Sequence, residues 1–401
     1  MRTLPGRMGL RRYRELLRIP GLAALMAAAF IGRLPFGMSV LSLILLLRAH
    51  DFDYAAVGVV TAAAGFSVGF SAPVLGRIVD RVGQTMPLVI MSALTTITGV
   101  VLVAAVAAGA SVVVAAVLAF VAGASVPPLS ASLRTLIPSL VGKDRVDTAF
   151  ALDALLLELV FIVGPLLAAT LAAAISPEVG YLTAVALQAT GALWLASRPE
   201  SRRWRPAERE AGAARAGALG TPGIRTMVIS LGLTAVALGV LEIAVAAFAE
   251  EHATRDDAGW LFALWSVGSF AGGLWYGGHH WQWPPHVRFL AVTSVLVAGL
   301  APVPLADSMA VFGALLILAG LGLAPSTASA YSLIGALAPE GATTEAYSWQ
   351  IVGYVMGSAA GAWLAGVVVE HHGVTAALVC APLAAAVGLA IAFAGRRSIT
   401  V

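Results

Sequence analysis

Long apolar runs fill this chain, and they restrict its fold more than any other feature. A helix needs about 20 apolar residues to cross a bilayer, and twelve such runs lie between charged, glycine or proline breaks in the 401 residues. Only 11% of the residues are charged, whereas soluble domains carry about 25%. The sequence therefore predicts an all-α membrane protein with twelve transmembrane helices.

The apolar runs form two sets of six, separated by one long polar segment. The first six predicted spans are Gly21–Leu47, Tyr54–Leu75, Met86–Ala108, Ser111–Leu133, Thr148–Ile175 and Val179–Ala196. The second six are Ile224–Ala249, Gly259–Gly278, Val287–Pro304, Met309–Ala330, Ala346–Val369 and Val374–Ala394. This pattern predicts an N-terminal six-helix half (1–196), a cytoplasmic linker (197–223) and a C-terminal six-helix half (224–401).

Basic residues fall almost entirely on one side of the predicted bundle. When the spans are threaded alternately, all but three of the 24 basic residues lie on that side; the exceptions are Arg33, Arg48 and Arg255. The positive-inside rule makes this side cytoplasmic, together with both termini. The first apolar run is too long for a signal peptide, so we expect it to be retained. Arginine enrichment in an alanine-rich chain is typical of a high-GC bacterium, which predicts the bacterial plasma membrane.

The two sets of spans share an internal repeat. At an offset of 197 residues, segment 122–168 matches segment 319–365 without a gap. The matches include Gly123 with Gly320, Pro128 with Pro325, and Gly164 with Gly361. Repeated halves with a substrate site between them are a plan of secondary transporters, so we expect two pseudo-symmetric halves.

One motif after the second span has a known counterpart. The segment Gly76-Arg77-Ile78-Val79-Asp80-Arg81-Val82-Gly83-Gln84 resembles the loop motif Gly-x-x-x-Asp-Arg-x-Gly-Arg/Lys of the major facilitator superfamily, with Gln84 in the last position. The resemblance covers essentially the whole chain and implies the major facilitator fold. We expect Gly76 to let its helix end and turn.

The resemblance also implies a conformational latch made of Gly76, Asp80, Arg81, Gly83 and Arg134. Asp80 is expected to cap the start of span eleven, near Thr344–Ala346, because a carboxylate complements the positive end of a helix. Glu345 would oppose this cap, so Arg81 or Arg134 is expected to neutralise it. The corresponding segment of the second half, 277–282, has no Asp-Arg pair. A latch is therefore expected on one side only.

Ionisable side chains inside membrane spans are costly and indicate function. Arg33 in span one and Glu158 in span five lie at similar depths, and these helices are neighbours in the resembled fold, so we predict that they pair. Two interpretations stay open: a structural clamp, or a proton-exchanging Glu158 with Arg33 as its modulator. Glu242 in span seven is a second proton-coupling candidate, unless it reaches the membrane surface. Asp153 is expected to pair with Arg134.

Glycine and proline patterns predict helix packing. Gly164-Pro165 in span five is similar to an element of proton-driven exporters of the superfamily, and Pro165 predicts a kink. Ala119 stands where drug:proton antiporters carry an arginine. Small residues at i, i+4 permit close helix approach, so we predict that spans two and eleven touch at the interface between halves. The glycines concerned are Gly65 and Gly69, Gly268 and Gly272, and Gly353, Gly357 and Gly361.

The substrate cavity is expected to include Tyr331, Trp349 and Gln350, because small or polar residues surround them on spans ten and eleven. Lys143, the only lysine, lies in no phosphate-binding loop, which excludes an ATP-driven pump. Cys380 is the only cysteine. The pairs His279-His280 and His371-His372 fall on opposite sides, so no metal site, cofactor or catalytic residue is predicted, and the chain is not expected to be an enzyme.

The leading interpretation is a proton-coupled exporter of a small, partly hydrophobic molecule that works by alternating access. The alternative within transport is an importer or facilitator of a polar metabolite. A non-transporting membrane scaffold or receptor is the alternative from another class. The expected partners are a small-molecule substrate, protons and the lipid bilayer, with no nucleic acid, and the chain is expected to be a monomer.

Overall fold

The computed structural model describes residues 5–205, 217–252 and 258–400. Every regular element within these ranges is a helix, and none of the described residues forms a strand. Four arginines used in the topology prediction, Arg2, Arg209, Arg215 and Arg255, lie outside the described residues. The all-α prediction is confirmed.

Within each described range the helices follow one another with short connections. The first nine are α1 (Pro5–Leu17), α2 (Leu22–Ala49), α3 (Tyr54–Val82), α4 (Thr85–Ala107), α5 (Val112–Ala124), α6 (Leu129–Val141), α7 (Val146–Ala174), α8 (Pro177–Ser197) and α9 (Pro199–Arg203). The others are α10 (Pro222–His252), α11 (Ala258–Gly278), α12 (Pro285–Leu300), α13 (Met309–Gly320), α14 (Leu323–Leu337), α15 (Thr343–His372) and α16 (Val374–Ala394).

These helices account for the predicted membrane spans. Eleven segments of the described chain are long and apolar enough to cross a membrane, and the 21-residue α11 occupies the remaining predicted span. Large apolar side chains such as Phe70, Val113 and Trp363 are exposed on the outside of the bundle. A lipid environment explains this exposure, since it removes those side chains from water.

Spans four and ten are each built from two helices, which the sequence analysis did not predict. In span four, Pro127 and Pro128 lie between α5 and α6, and proline lacks the N–H that would continue the helix. In span ten, α13 ends at Gly320 and α14 begins at Leu323. Several helices also run past the predicted ends, as α3 does at Val82, because hydropathy marks the lipid-embedded part of a helix and not the limit of its hydrogen bonding.

Glycines set the closest helix crossings around α2. A Cβ on Gly32 would lie 3.1 Å from the Cα of Gly191 on α8, and a Cβ on Gly164 would lie 2.8 Å from the Cα of Gly37. The Cδ of Pro165 lies in the same crossing. Such short distances are possible only without side chains, so these glycines fix the register of α2 against α7 and α8.

The predicted role of the glycine stripes at the interface between halves is wrong. Gly353, Gly357 and Gly361 pack against the backbone of α10, where a Cβ on Gly357 would lie 2.1 Å from the carbonyl oxygen of Gly232. The glycines of α11, Gly268 and Gly272, face the backbone of α13, and those of α3, Gly65 and Gly69, have no other atom within 4 Å of an added Cβ. A stripe of small residues indicates close approach but does not identify the partner helix.

The helices α2–α8 and α10–α16 meet along a few pairs. Helix α3 packs on α15, as predicted for spans two and eleven, while α7 packs on α11 and α14. Helix α1 packs mainly on α11 and also touches α7. We call the end of the bundle where α3 and α11 end, and where α7 and α15 begin, the α1 end.

Candidate functional site

A buried group of charges joins α2, α6 and α7. The carboxylate of Asp153 accepts a hydrogen bond from Nη1 of Arg33 through Oδ1 and one from Nε of Arg134 through Oδ2, at 2.9 Å. All three side chains are buried. The expected pair of Arg134 and Asp153 is therefore present, and Arg33 joins it.

The predicted pair of Arg33 and Glu158 is wrong, because Arg33 binds Asp153 instead. Side chains on a helix tilt toward its N-terminus. The Gly37–Gly164 crossing and the Arg33–Asp153 bond show that α2 and α7 run in the same direction. The guanidinium of Arg33 consequently points back along α2 toward the level of Asp153, away from Glu158.

The predicted cavity residues lie around this charged group or near it. Nη1 of Arg134 donates to Oε1 of Gln350 at 3.2 Å, and its guanidinium carbon lies 3.5 Å from the centre of the Tyr331 ring. Tyr331 and Gln350 are both buried. The indole N–H of Trp349 donates to Glu345 at 3.3 Å. In this conformation Tyr331 and Gln350 pack at the α1 end and Trp349 is half-buried, and their role in the substrate cavity stays a prediction.

Two carboxylates lie further from the α1 end. Glu158 on α7 accepts a 2.9 Å hydrogen bond from the hydroxyl of Ser269 on α11 and forms no salt bridge with any described residue. Glu242 on α10 lies beside the hydroxyl of Ser358 on α15. Tyr354 has both carboxylates among its electrostatic neighbours. Glu242 thus faces a neighbouring helix while its side chain remains exposed, so both interpretations of this residue stay predictions.

An interior space widens away from the buried charges. Along one face of α2 the exposed fraction rises from 1% at Arg33 to 37% at Phe36 and 62% at Val40. On α15 it rises from 8% at Gln350 to 38% at Tyr354. Tyr354 lies one helical turn beyond Gln350 on the same face of α15, and Gln350 contacts Arg134, so Tyr354 faces the interior. The charged group therefore forms the floor of this space.

The predicted contact of Asp80 with the start of α15 is present. Oδ1 of Asp80 accepts from the backbone N–H of Thr344 at 3.1 Å, and Oδ2 accepts from that of Glu345 at 2.8 Å. The first N–H groups of a helix have no partner within the helix, and a carboxylate there also complements the helix dipole. We call this contact between α3 and α15 closure one.

Three details of closure one differ from the prediction. Gly76 lies inside α3 and does not end it; a Cβ there would lie 2.6 Å from Oγ of Ser348. The helix ends one residue before Gly83, which has a φ of 90°. Glu345 is paired by Nε of Arg77 at 2.8 Å, whereas Arg81 is exposed and Arg134 belongs to the buried group. Arg77 reaches Glu345 because α3 continues beyond the predicted end.

A second contact, which we call closure two, joins α7 to α11 and α12 at the same end. The hydroxyl of Thr148 donates to the carbonyl oxygen of Gly277 at 2.7 Å. Arg288 on α12 forms a salt bridge with Asp147 in the first turn of α7. The expectation of a latch on one side only is therefore wrong at the level of contacts. Residues 277–282 did not reveal it, because the bond from Thr148 is accepted by a backbone carbonyl and the salt bridge lies outside this segment.

Helix α1 strengthens closure two. The phenol of Tyr13 donates to the carbonyl oxygen of Gly273 at 2.9 Å, and Nη1 of Arg12 donates to that of His279 at 2.7 Å. Tyr13 and Leu16 are buried. This role was not predicted, because the most prominent feature of the segment in the sequence is its basic charge. The spacing of Tyr13 and Leu16 among arginines is the available signal, since it places one apolar face on a helix.

No group of three or more histidine, cysteine, aspartate or glutamate residues in the described ranges has the arrangement of a metal site. The arrangement that does emerge is a bundle sealed at the α1 end, with buried charges at the floor of a widening space. A small molecule can enter such a space from its open side, and it can pass the α1 end only if the closures open.

Comparisons with known proteins agree with this architecture. A chain of Sinorhizobium fredii (strain NBRC 101917 / NGR234) described as "Uncharacterized MFS-type transporter y4rN" is 29% identical over 269 residues, which cover 65% of this chain and 66% of that protein. The match thus spans just under two thirds of the relative's length.

Two solved structures share the fold. A bacterial homologue of the iron transporter ferroportin in an outward-facing state has a TM-score of 0.78 at 14% identity, covering 94% of this chain and 99% of that chain. The fucose:proton symporter FucP of E. coli has a TM-score of 0.75 at 14% identity, covering 93% and 98%. The family model described as Major Facilitator Superfamily matches residues 25–241. This match covers more than half of the sequence, and the chain belongs to the Major Facilitator Superfamily.

Proposed function

We propose that this protein is a proton-coupled secondary active transporter that moves a small, partly hydrophobic molecule by alternating access. Its two moving units are the halves 1–196 and 224–401, joined by the linker 197–223. The substrate binds between them, and Asp80 in closure one acts as a latch. Membership of the Major Facilitator Superfamily supports transport as the activity.

The observation that carries the proton coupling is the position of Glu158. It is half-buried at the edge of the interior space, bonded to Ser269 on a helix of the other half. A carboxylate without a cationic partner is stable in such a place when it is protonated. When the halves separate, the bond to Ser269 breaks and Glu158 meets a different environment, so its proton is released on one side of the membrane.

The orientation that we propose places the α1 end in the cytoplasm of a bacterium. The ends of the helices there carry most of the arginines, which favours the cytoplasmic side. In this orientation the widening space opens outward. A reporter fused after Val401 should be active only inside the cell, and activity only outside would contradict the orientation.

Export is the direction that we propose, because Gly164-Pro165 lies in the crossing of α2 and α7 and is similar to an element of proton-driven exporters. Import of a polar metabolite is the second candidate, and one observation favours it. Arg33, Arg134 and Asp153 carry one net positive charge, so an anion together with a proton on Glu158 leaves the group neutral. Substrate and proton then travel in the same direction.

The test is transport by the purified protein in liposomes with an imposed pH gradient, using a panel of compounds. Glu158→Gln should abolish accumulation driven by the gradient while exchange of substrate without a gradient continues. Glu370→Gln, an exposed carboxylate at the end of α15, is the matched control and should behave as wild type. The direction of the pH gradient that drives substrate accumulation distinguishes export from import.

If the Glu158→Gln variant still concentrates substrate at the wild-type level, Glu158 does not carry the proton. Glu242 then becomes the candidate, and Glu242→Gln is tested in the same liposomes.

A further inference from the structure

Two guanidinium groups share one carboxylate in the middle of this protein. Arg33 and Arg134 each bind one oxygen of Asp153, so the group has one positive charge without a counterion among the residues that touch it. An uncompensated charge inside a membrane protein is strongly unfavourable. A negatively charged ligand would remove this penalty.

The two arginines differ in how well their nitrogens are satisfied. Arg134 has Asp153, Gln350 and the ring of Tyr331 as partners. Arg33 uses only Nη1, while its Nε and Nη2 are buried and have no hydrogen-bond partner among the described residues. The unsatisfied hydrogen-bond donors of the group are therefore on Arg33. Leaving charged donors unpaired in a protein interior is costly.

The two free nitrogens have a shape that selects their ligand. Nε and Nη2 form one edge of the guanidinium, and their N–H bonds are parallel. This edge fits the two oxygens of a carboxylate, which gives a bidentate pair. A single ordered water or a neutral amide satisfies the edge less well, because neither supplies two charged acceptors.

The surroundings of Arg33 describe the rest of the ligand. The next residues on the same face of α2 are Phe36 and Val40, which are increasingly exposed toward the interior space. A molecule that enters from the open side meets these apolar side chains first, and it reaches the buried edge of Arg33 only when the side chains around that edge move. Its charged group would therefore be at one end and its apolar body at the other.

We infer that the substrate is an organic monoanion, such as a carboxylate with an apolar body, and that Nε and Nη2 of Arg33 bind its charged group. This inference rests on the proposed transport function but not on its direction. Arg33 is thereby a substrate-binding residue, whereas Asp153 and Arg134 position it.

The experiment measures binding by thermal unfolding of the purified full chain, without any gradient. The probes are acetate, benzoate and hexanoate, each compared with the matching amide and amine, and with sodium chloride at equal concentration. At least one carboxylate with an apolar body should raise the unfolding temperature in a saturable manner. The matching amide, the amine and chloride should not.

Arg33→Lys is the decisive variant, because lysine keeps the charge and one bond to Asp153 but lacks the second pair of donors. It should bind the effective carboxylate roughly tenfold more weakly, since hydrogen bonds to charged groups contribute that much. Arg33→Gln leaves Arg134 and Asp153 as a neutral pair, so it should fold and lose the response. Arg145→Lys, an exposed arginine, is the control.

Equal stabilisation by carboxylate and amide, or an unchanged affinity in Arg33→Lys, would overturn the inference. The absence of any carboxylate effect in wild type would overturn it as well and would assign an ordered water to Arg33. Failure of proton coupling shows up separately, in the Glu158→Gln liposome assay, because the binding assay needs no gradient.

Discussion

Closure one and closure two occupy corresponding places in the two halves but use opposite chemistry. At the offset of 197 residues, Asp80 corresponds to Gly277 and Glu345 corresponds to Thr148. In closure one a side chain of α3 accepts from backbone N–H groups at the start of α15. In closure two a side chain at the start of α7 donates to a backbone carbonyl near the end of α11.

The difference shows that two helix ends can be joined by pairing the free backbone groups of either one. The start of one helix offers free N–H groups and the end of another offers free carbonyls. A single acidic residue serves closure one, whereas closure two combines Thr148 with a salt bridge and with α1. A motif search finds the first arrangement and overlooks the second.

The largest expected effect breaks closure one by steric overlap. Gly76→Leu places side-chain atoms where Ser348 and the backbone of Glu345 lie, since even a Cβ would come within 2.6 Å and 2.9 Å. We expect about a hundredfold or greater rise in maleimide labelling of Thr344→Cys, in a background with Cys380→Ser. Gly65→Leu on the same helix has no neighbour within 4 Å and should leave labelling unchanged. Equal labelling in the two variants would contradict this account.

The next effect separates the two closures. Arg288→Gln removes the partner of Asp147, which keeps 20% of its side chain exposed. We expect a loss of about 2–3 kcal/mol at closure two, less than the 3–5 kcal/mol for fully buried pairs. Labelling of Ala151→Cys, a buried position on α7, should rise while Thr344→Cys stays protected. Asp147→Asn combined with Arg288→Gln should restore part of the protection, and a rise at both reporters would show that the closures open as one.

A smaller effect tests the charge in closure one. Asp80→Asn keeps an oxygen acceptor but loses the negative charge, which should weaken the cap by about 1–2 kcal/mol. Labelling of Thr344→Cys should rise roughly fivefold or more, and the conformational distribution should shift toward the inward-facing state. Unchanged accessibility at both ends of the bundle would exclude a latch role for Asp80.

The smallest effect concerns α1. Tyr13→Phe removes one neutral hydrogen bond, to Gly273, and should cost closure two about 0.5–1 kcal/mol. Burial raises the pKa of the Tyr13 phenol above its ordinary value, so the phenol remains a donor well into the alkaline range. The difference in Ala151→Cys labelling between wild type and Tyr13→Phe should accordingly stay constant from about pH 6 to pH 9. A difference that disappears below pH 9 would contradict this assignment.

The sequence predicts the spans well, because a bilayer requires an apolar composition over a whole run of residues. The contact of Asp80 was predictable, because the resembled motif implies a contact with the start of span eleven. The partner of Arg33 could not be predicted, because it depends on the tilt of the side chain and on the register between α2 and α7, which Gly37 and Gly164 set. The stripe of small residues at Gly357 predicted a close helix crossing, but it did not identify α10 as the partner helix. Backbone carbonyls leave no signature in a sequence, so the bonds of Thr148 and Tyr13 were invisible.

The docking of α1 on α11 has a consequence for biosynthesis. The bonds from Tyr13 and Arg12 span 260 and 267 residues of chain. At about 5–20 residues per second, roughly 13–50 s pass between the synthesis of α1 and that of its acceptor. During that interval α1 lacks its main partner, since α7 makes fewer contacts with it than α11 does, and an arginine-rich amphipathic helix binds to an anionic membrane surface. The hydrogen-bond donors Tyr13 and Arg12 are therefore synthesised long before the carbonyls that accept from them, and lipid headgroups bind α1 until α11 is inserted.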